Sequence, residues 1–188
     1  MTALNSLHLE RAVRVLRSGG VIAYPTEGVW GLGCDPFDEG AVGRVLRLKG
    51  RRAGKGLILV AGDVGQVRPL LVHLPSARRA AVEGSWPGPY TWIVPVRGKL
   101  PRWITGKHRS VALRVSDHEQ VAALCRMFGG PIVSTSANLQ GRPAARSALA
   151  VRRYFRAAVD YVLPGTLGGR RGPTPIRDAL TGRLARPG

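Results

Sequence analysis

The side chains in this sequence that could do chemistry are hydroxyls, amides and cations, and they gather in four short stretches. The first is Pro25-Thr26-Glu27-Gly28-Val29-Trp30-Gly31-Leu32-Gly33, which sets a hydroxyl, a carboxylate and an indole among glycines. The second is Lys49-Gly50-Arg51, and the third is Arg114 inside the apolar run Val111 to Val115. The fourth is Ser134-Thr135-Ser136-Ala137-Asn138. A carboxylate pair, a Cys/His dyad, a nucleophile elbow and a Gly-x-x-x-x-Gly-Lys-Ser/Thr loop do not occur in the sequence. The inventory suits reactions in which phosphate positioning and charge neutralisation supply most of the catalysis.

Taken alone, each stretch has an ordinary reading. The first is a turn between two strands, since Gly31-x-Gly33 lacks the third glycine and the helix start of a dinucleotide fingerprint. The fourth is an Asx/Ser turn satisfying its own backbone. Arg52, at a helix end, complements the dipole. His8, His73, His108 and His118 are scattered and read as surface or capping residues. Arg114 either reaches outward or serves a buried anion. What favours a site is recurrence of one mixture of residue types at successive strand ends. Hydroxyls and amides alternating along extended chain can line a polar wall, and dense glycines let backbone amides approach a ligand.

Composition bounds what can carry these groups. A chain of 188 residues with 44% hydrophobic content fits a single domain, residues 1–188, with no additional C-terminal domain expected. No stretch approaches the roughly 20 apolar residues of a membrane span, and no apolar signal segment follows the N-terminus, so a cytoplasmic protein is expected. Cys34 and Cys125 read as reduced thiols, with no Cys/His cluster for zinc. The net charge is +18, and 25 of the 29 basic residues are arginine. Such unpaired charge repels itself unless a polyanion uses it, so nucleotide phosphates, RNA or both are the expected partners.

The apolar periodicity predicts a first helix capped by Asn5 or Ser6, a strand over Val21 to Tyr24 cut off by Pro25, and a helix from Asp38 to Leu48. Lys55 to Val60 reads as a loop feeding a strand. Short helices are expected over Asp63 to Leu71 and Ser76 to Glu83, and strands over Thr91 to Val96 and Val111 to Val115. Asp117 is placed as the cap of a helix reaching Met127. The strand Pro131 to Val133, the helix Ser147 to Ala157, the strand Tyr161 to Leu163 and a glycine-rich loop, Gly165 to Pro175, complete the chain. Several strands follow one another directly, which points to an α/β fold with a mixed sheet rather than a purely parallel one.

The ordered set Pro25-Thr26-Glu27-x-Val29-Trp30-Gly31-Leu32-Gly33, Lys49-x-Arg51, Trp86-Pro87-Gly88-Pro89-x-Thr91, Leu113-Arg114-Val115 and Ser134-Thr135-Ser136-Ala137-Asn138 resembles the motifs of the YrdC-like threonylcarbamoyl-AMP synthases, the short bacterial TsaC type. Pro164-Gly165 through Pro173-x-x-Ile176-Arg177-Asp178 matches as well, so the likeness runs from about Ile22 to Arg186. It implies a twisted mixed sheet with flanking helices and a concave basic face. It also implies synthesis of threonylcarbamoyl-adenylate and pyrophosphate from L-threonine, bicarbonate and ATP, with Mg²⁺ held by the nucleotide and no protein metal site. The product would serve threonylcarbamoylation of tRNA adenosine 37 through a downstream threonylcarbamoyl-transferase complex.

By the same resemblance Lys49 and Arg51 are catalytic and contact the nucleotide together with Ser136 and Asn138, while Thr26, Arg114 and Ser134 hold threonine. The chain departs from the common pattern at Gly28, Trp30, Arg52, Ser116, Gln140 and Thr174-Pro175. Arg142, Arg146, Arg152, Arg153 and Arg156 share a helical spacing that suits tRNA or other RNA as much as a solvated face. Two other readings stand beside the synthase. One is a non-catalytic RNA-binding or ribosome-maturation module; the other is a carbamoyl-transfer domain of the kind found within much longer chains.

Overall fold

Period-two alternation along short strands decides which side chains meet which layer of helices. The computed structural model describes residues 3–51, 53–98 and 100–187, so Arg52 lies outside the described residues. The chain runs α1 (Ala3–Arg17), β1 (Ile22–Pro25), β2 (Trp30–Gly33), α2 (Glu39–Lys49), β3 (Ile58–Ala61), α3 (Ser76–Gly84), β4 (Thr91–Pro95) and α4 (Arg102–Thr105). It continues with β5 (Ser110–Val115), α5 (Glu119–Phe128), β6 (Ile132–Ser136), α6 (Ala148–Phe155), β7 (Tyr161–Val162), β8 (Ile176–Asp178) and β9 (Leu184–Arg186). One sheet orders them β7-β1-β2-β6-β3-β5-β4-β8-β9. The pairs β1/β7, β3/β5 and β4/β8 are parallel and the others antiparallel, so the expected mixed sheet is what forms.

On one face Leu59, Ala61, Leu113, Val115 and Val133 pack against Ala41, Val42 and Val45 of α2, Val82 of α3 and Ile104 of α4. On the other, Ile22, Tyr24, Val60 and Ile132 lie beneath Leu9, Ala12, Val13 and Leu16 of α1 and Val121, Leu124 and Cys125 of α5. Each fully buried Leu or Ile in these layers contributes about 1.5–3 kcal/mol relative to exposure. The register then carries the second face beyond α1 and α5. Ile58 stands opposite both Ala112 and Ser134, and Val60 opposite Arg114, while Ser136 pairs with Gly31. Alternation therefore sets Ile58, Ala112, Arg114, Ser134 and Ser136 on one surface, and these residues line a cavity instead of a core.

The helix α2 has the ends its sequence calls for. Asp38 accepts from the Ala41 N–H at 2.9 Å, and Gly50 closes the C-terminus at φ 61°, where glycine pays no steric penalty. Other expectations are corrected. Asn5 and Ser6 lie inside α1; Asn5 accepts from Gln120 Nε2 and Ser6 donates to Glu10 within the helix. Asp117 does not cap α5, because its carboxylate finds a full charge in Arg170 at 2.8 Å and His118 takes the cap position. Pro25 ends β1 still paired with Trp30. Asp63 to Leu71 forms two 3-10 turns, Val64–Gln66 and Arg68–Leu70, in place of one helix. The turn between two strands expected for the first stretch joins β1 to β2, whereas β8, β9 and the single turn α4 carry no sequence signal strong enough to be read.

Two glycines of the first stretch make room for a neighbouring ring. A Cβ on Gly33 would meet Tyr24 Cε1 at 2.8 Å and the Val133 carbonyl at 2.9 Å, and one on Gly31 would meet Tyr24 Cζ at 3.3 Å. They are bare because the Tyr24 ring lies across β2. We predict that Gly33→Ala costs about 1–3 kcal/mol through overpacking. A urea titration with an unchanged midpoint would contradict this packing.

Candidate active site

The cavity has a volume of about 320 Å³. Thr26, Val29 and Trp30 line it from the β1–β2 turn, Arg114 from β5, and Ser134 and Ser136 from β6. Arg51 and Lys55 enter from the segment after α2, His108 from the segment before β5, Thr174 from the loop before β8, and Arg186 from β9. Residues far apart in sequence converge here because β6, β3, β5 and β4 are sheet neighbours, with β8 and β9 beyond them.

Its cations repel one another in an ordered string. Burial, then Arg51, pushes the Lys49 ammonium down to about 8. Burial, then Arg186, lowers Arg51; burial, then Arg114, lowers Arg186. The Arg51 guanidinium donates from Nη2 to the Gly56 carbonyl at 2.8 Å, and its Nε is buried without an acceptor. Among the described residues one carboxylate pairs with this string, Glu27, whose Oε2 lies 3.2 Å from Arg114 Nη1. Both conditions considered for Arg114 are thus decided: it faces inward, and its protein anion is Glu27. Four cations against one carboxylate is an arrangement that an incoming polyanion stabilises.

The hydroxyls are wired as well as placed. Burial holds the Tyr24 phenol protonated far above the ordinary range, and its Oη donates to Ser134 Oγ at 2.9 Å. With that lone pair used, the Ser134 proton is free to be donated into the cavity it lines. Thr26 Oγ1 donates its own proton to the Val29 carbonyl at 2.7 Å, which leaves it an acceptor toward the cavity.

Lys49 and Asn138 stand behind the wall rather than in it. The Lys49 ammonium donates to the Ser136 carbonyl at 2.5 Å, the Asn138 carbonyl at 3.1 Å and Asn138 Oδ1 at 2.9 Å. Ser136 Oγ also donates to Asn138 Oδ1 at 2.7 Å, and Asn138 Nδ2 donates to the carbonyls of Leu139 and Arg142. The self-satisfied turn read for this stretch is present at Asn138, and Lys49 braces it to α2.

Four cavity groups carry no site signal in the sequence, among them Lys55, expected only in a loop. Arg186 sits on an exposed edge strand in an arginine-rich chain, where nothing distinguishes it. His108 was read as a surface or capping residue and lines the cavity, exposed at its rim. Thr174, read only as a departure, is buried and receives Arg114 Nη1 at 3.4 Å. The cavity-facing wall of Ser134 and Ser136 was legible because both lie one period apart on β6.

A mixed sheet whose open face gathers cations and hydroxyls around a small cavity defines an α/β domain built to hold compact polyanions. The family model Sua5_yciO_yrdC, described as telomere recombination, matches residues 14–188, and the chain belongs to that family. It is 58% identical over 179 residues to the threonylcarbamoyl-AMP synthase of Stutzerimonas stutzeri, covering 95% of this chain and 96% of that one. Among solved structures, P. abyssi Sua5 complexed with L-threonine superposes with a TM-score of 0.84 at 32% identity; the match covers 90% of this chain and 50% of that one, about half its length. E. coli YciO gives a TM-score of 0.85 at 26% identity, covering 98% of this chain and 90% of the other.

A pH dependence follows from Lys49. Its ammonium is charged below about 8 and neutral above, so the cavity loses one positive charge as pH rises through that value. Affinity for tripolyphosphate, measured by calorimetry, is expected to fall at least about threefold more between about pH 7 and 9 than it does in Lys49→Arg, whose guanidinium stays charged. Identical pH profiles for the two proteins would contradict the assignment.

Proposed function

We propose that this chain is a threonylcarbamoyl-AMP synthase, joining L-threonine, bicarbonate and ATP into threonylcarbamoyl-adenylate with release of pyrophosphate. The observation that carries the reading is the cationic string beside a donor Ser134 and an acceptor Thr26, in a chain 58% identical over most of its length to a synthase of that name. The chemistry needs no protein base at the transfer step. Threonine's free amine and bicarbonate condense to an N-carboxylate, the new C–N bond replacing a C–O bond whose oxygen leaves as water, and that carboxylate attacks the α-phosphorus while pyrophosphate leaves. Nucleophile and electrophile are both anions, so neutralising their repulsion and holding them in line is the catalytic task.

In this reading Arg114 receives the α-carboxylate of threonine as a planar fork, with Ser134 as a second donor and Thr26 as an acceptor. Lys49 and Arg51 are catalytic, Arg51 and Arg186 meeting phosphate charge at the cavity and Lys49 adding its field from behind. Ser136 and Asn138 shape the nucleotide side. Mg²⁺ is assigned to the triphosphate oxygens, where it would offset charge; among the described residues no three of Asp, Glu, His and Cys gather as a protein cage for it.

The expected helical spacing is not what joins the five arginines, since Arg142 and Arg146 precede α6 and Arg156 follows it; all five, with Arg152 and Arg153 on the helix, are exposed around α6 and are assigned to tRNA or other RNA. Arg146 also donates to the carbonyls of Gly28 and Arg171, which ties that surface to the cavity's edge. The product passes to a threonylcarbamoyl-transferase complex in the cytoplasm for adenosine 37 of tRNA.

The test is pyrophosphate release from ATP, expected only when threonine and bicarbonate are both present. Release without threonine would overturn the reading. Arg51→Ala is expected to lose most of this activity with the fold intact, on the order of 1.5–3 kcal/mol for one charge-assisted contact and more if it strengthens in the transition state. Lys49→Ala is expected to lose as much activity and some stability too, since three oxygens lose their donor. Near-normal release from either variant would remove that residue from the mechanism.

Substrate choice gives a further prediction. An apolar wall supplies only about 1–3 kcal/mol for a methyl group, whereas a site wired for a hydroxyl rejects its absence far more strongly. Val29 and Trp30 supply the wall, and Thr26, Ser134 and Ser136 the wiring. Serine should be a poor but measurable substrate and valine nearly inert; valine turning over faster than serine would show that the hydroxyl is not read.

A further inference from the structure

The chemistry above leaves one buried acid without a task. Glu27 is 2% exposed and lies behind a cavity wall that otherwise presents cations and hydroxyls. Its Oε2 lies 3.2 Å from Arg114 Nη1, and its Oε1 accepts from Ser116 Oγ at 2.5 Å. The Ser116 oxygen in turn accepts from the His118 backbone N–H at 3.2 Å. On its other side Arg114 Nη1 reaches Thr174 Oγ1, which shares a hydrogen bond with Thr91 Oγ1 at 3.0 Å. Ser116, Thr174 and Thr91 are all buried, and Arg114 is only 6% exposed.

Stability alone does not account for this cluster. Taking two opposite charges out of water carries a large desolvation penalty, and an apolar pair of similar volume would hold the layers as well or better. What the pair supplies is direction. An arginine left alone in this wall would be repelled by Arg186 and would sample many rotamers; paired at Nη1 with Glu27 and Thr174, it is restricted to fewer orientations while it lines the cavity. The Glu27 backbone is fixed too, its carbonyl accepting from the Arg170 N–H at 2.9 Å. Ser116 completes the grip through its hydrogen bond to Oε1.

We propose that Glu27 is a positioning residue that acts through Arg114. Oriented by Ser116, it fixes the guanidinium to receive the α-carboxylate of the amino-acid substrate and so sets affinity for threonine without touching it. This rests on the reading of Arg114 as the carboxylate receptor.

The experiment is steady-state pyrophosphate release by Glu27→Gln, Ser116→Ala and the double variant, with threonine and ATP varied separately, alongside calorimetric binding of L-threonine. Glu27→Gln keeps an acceptor for Ser116 and removes the charge facing Arg114. It is expected to raise KM for threonine about tenfold while kcat changes less than about threefold and KM for ATP less than about twofold. Ser116→Ala should raise KM for threonine alone by about threefold, and the double variant should be no worse than Glu27→Gln, because Ser116 works through Glu27. Should Glu27→Gln fail to fold, Ser116→Ala carries the test. Unchanged threonine KM, or threonine and ATP KM rising together, would overturn the positioning role while leaving the synthase reading intact. Wild-type protein that neither binds L-threonine nor releases pyrophosphate with it would overturn that reading and this role together.

Discussion

Mutual repulsion among Lys49, Arg51, Arg186 and Arg114 is the constraint on which the rest of this structure turns. The ionisation of each of the first three is depressed by burial and then by the cation that follows it in this order. Such an arrangement is unfavourable unless the scaffold is rigid enough to enforce it or a ligand offsets it. Among the described residues the carboxylate that offsets it stands at one end, at Glu27. The opposite end, near Arg51, is left for charge that comes from outside. That asymmetry matches two anions of different size: a single carboxylate beside Arg114 and a longer phosphate chain toward Arg51.

The sheet supplies the rigidity. Arg114 sits on β5 between β3 and β4, and Ser134 and Ser136 sit on β6 between β2 and β3, so neither wall is an edge. Behind β6, the ammonium of Lys49 ties α2 to the Ser136–Asn138 turn through three oxygens. Tyr24 crosses the bare glycines of β2 to reach Ser134 and fixes which way its proton points. The β2 glycines, a phenol and an ammonium behind the wall thus help to decide the geometry of the lining. Function here is a property of the second layer as much as of the lining.

What could be read from the sequence was whatever carried its own periodicity or chemistry. The hydroxyls of β6 alternate, Arg114 interrupts an apolar run, and Lys49-Gly50-Arg51 ends a well-capped helix; each announces itself locally. Arg186 does not, because the three residues of β9 are largely exposed and no buried apolar residue gives the strand a pattern. Glu27 stood in plain view, yet its partners lie on β5 and just beyond it, and only sheet order brings them together. The same limit applies to the glycines: a sequence shows that Gly31 and Gly33 leave room, but not that Tyr24 lies across them. Asp117 was misplaced for a related reason, since the arginine that outcompetes a helix end for its carboxylate comes from a distant loop.

The most direct measurement is the structure of the protein with L-threonine and a non-hydrolysable ATP analogue bound together. The account predicts the threonine carboxylate on Arg114 with the Glu27 pair retained, its hydroxyl side toward Thr26 and Ser134, and the phosphates spanning Arg51 and Arg186. Phosphates held away from that string, on the α6 arginines for example, or threonine bound with its carboxylate remote from Arg114, would contradict it.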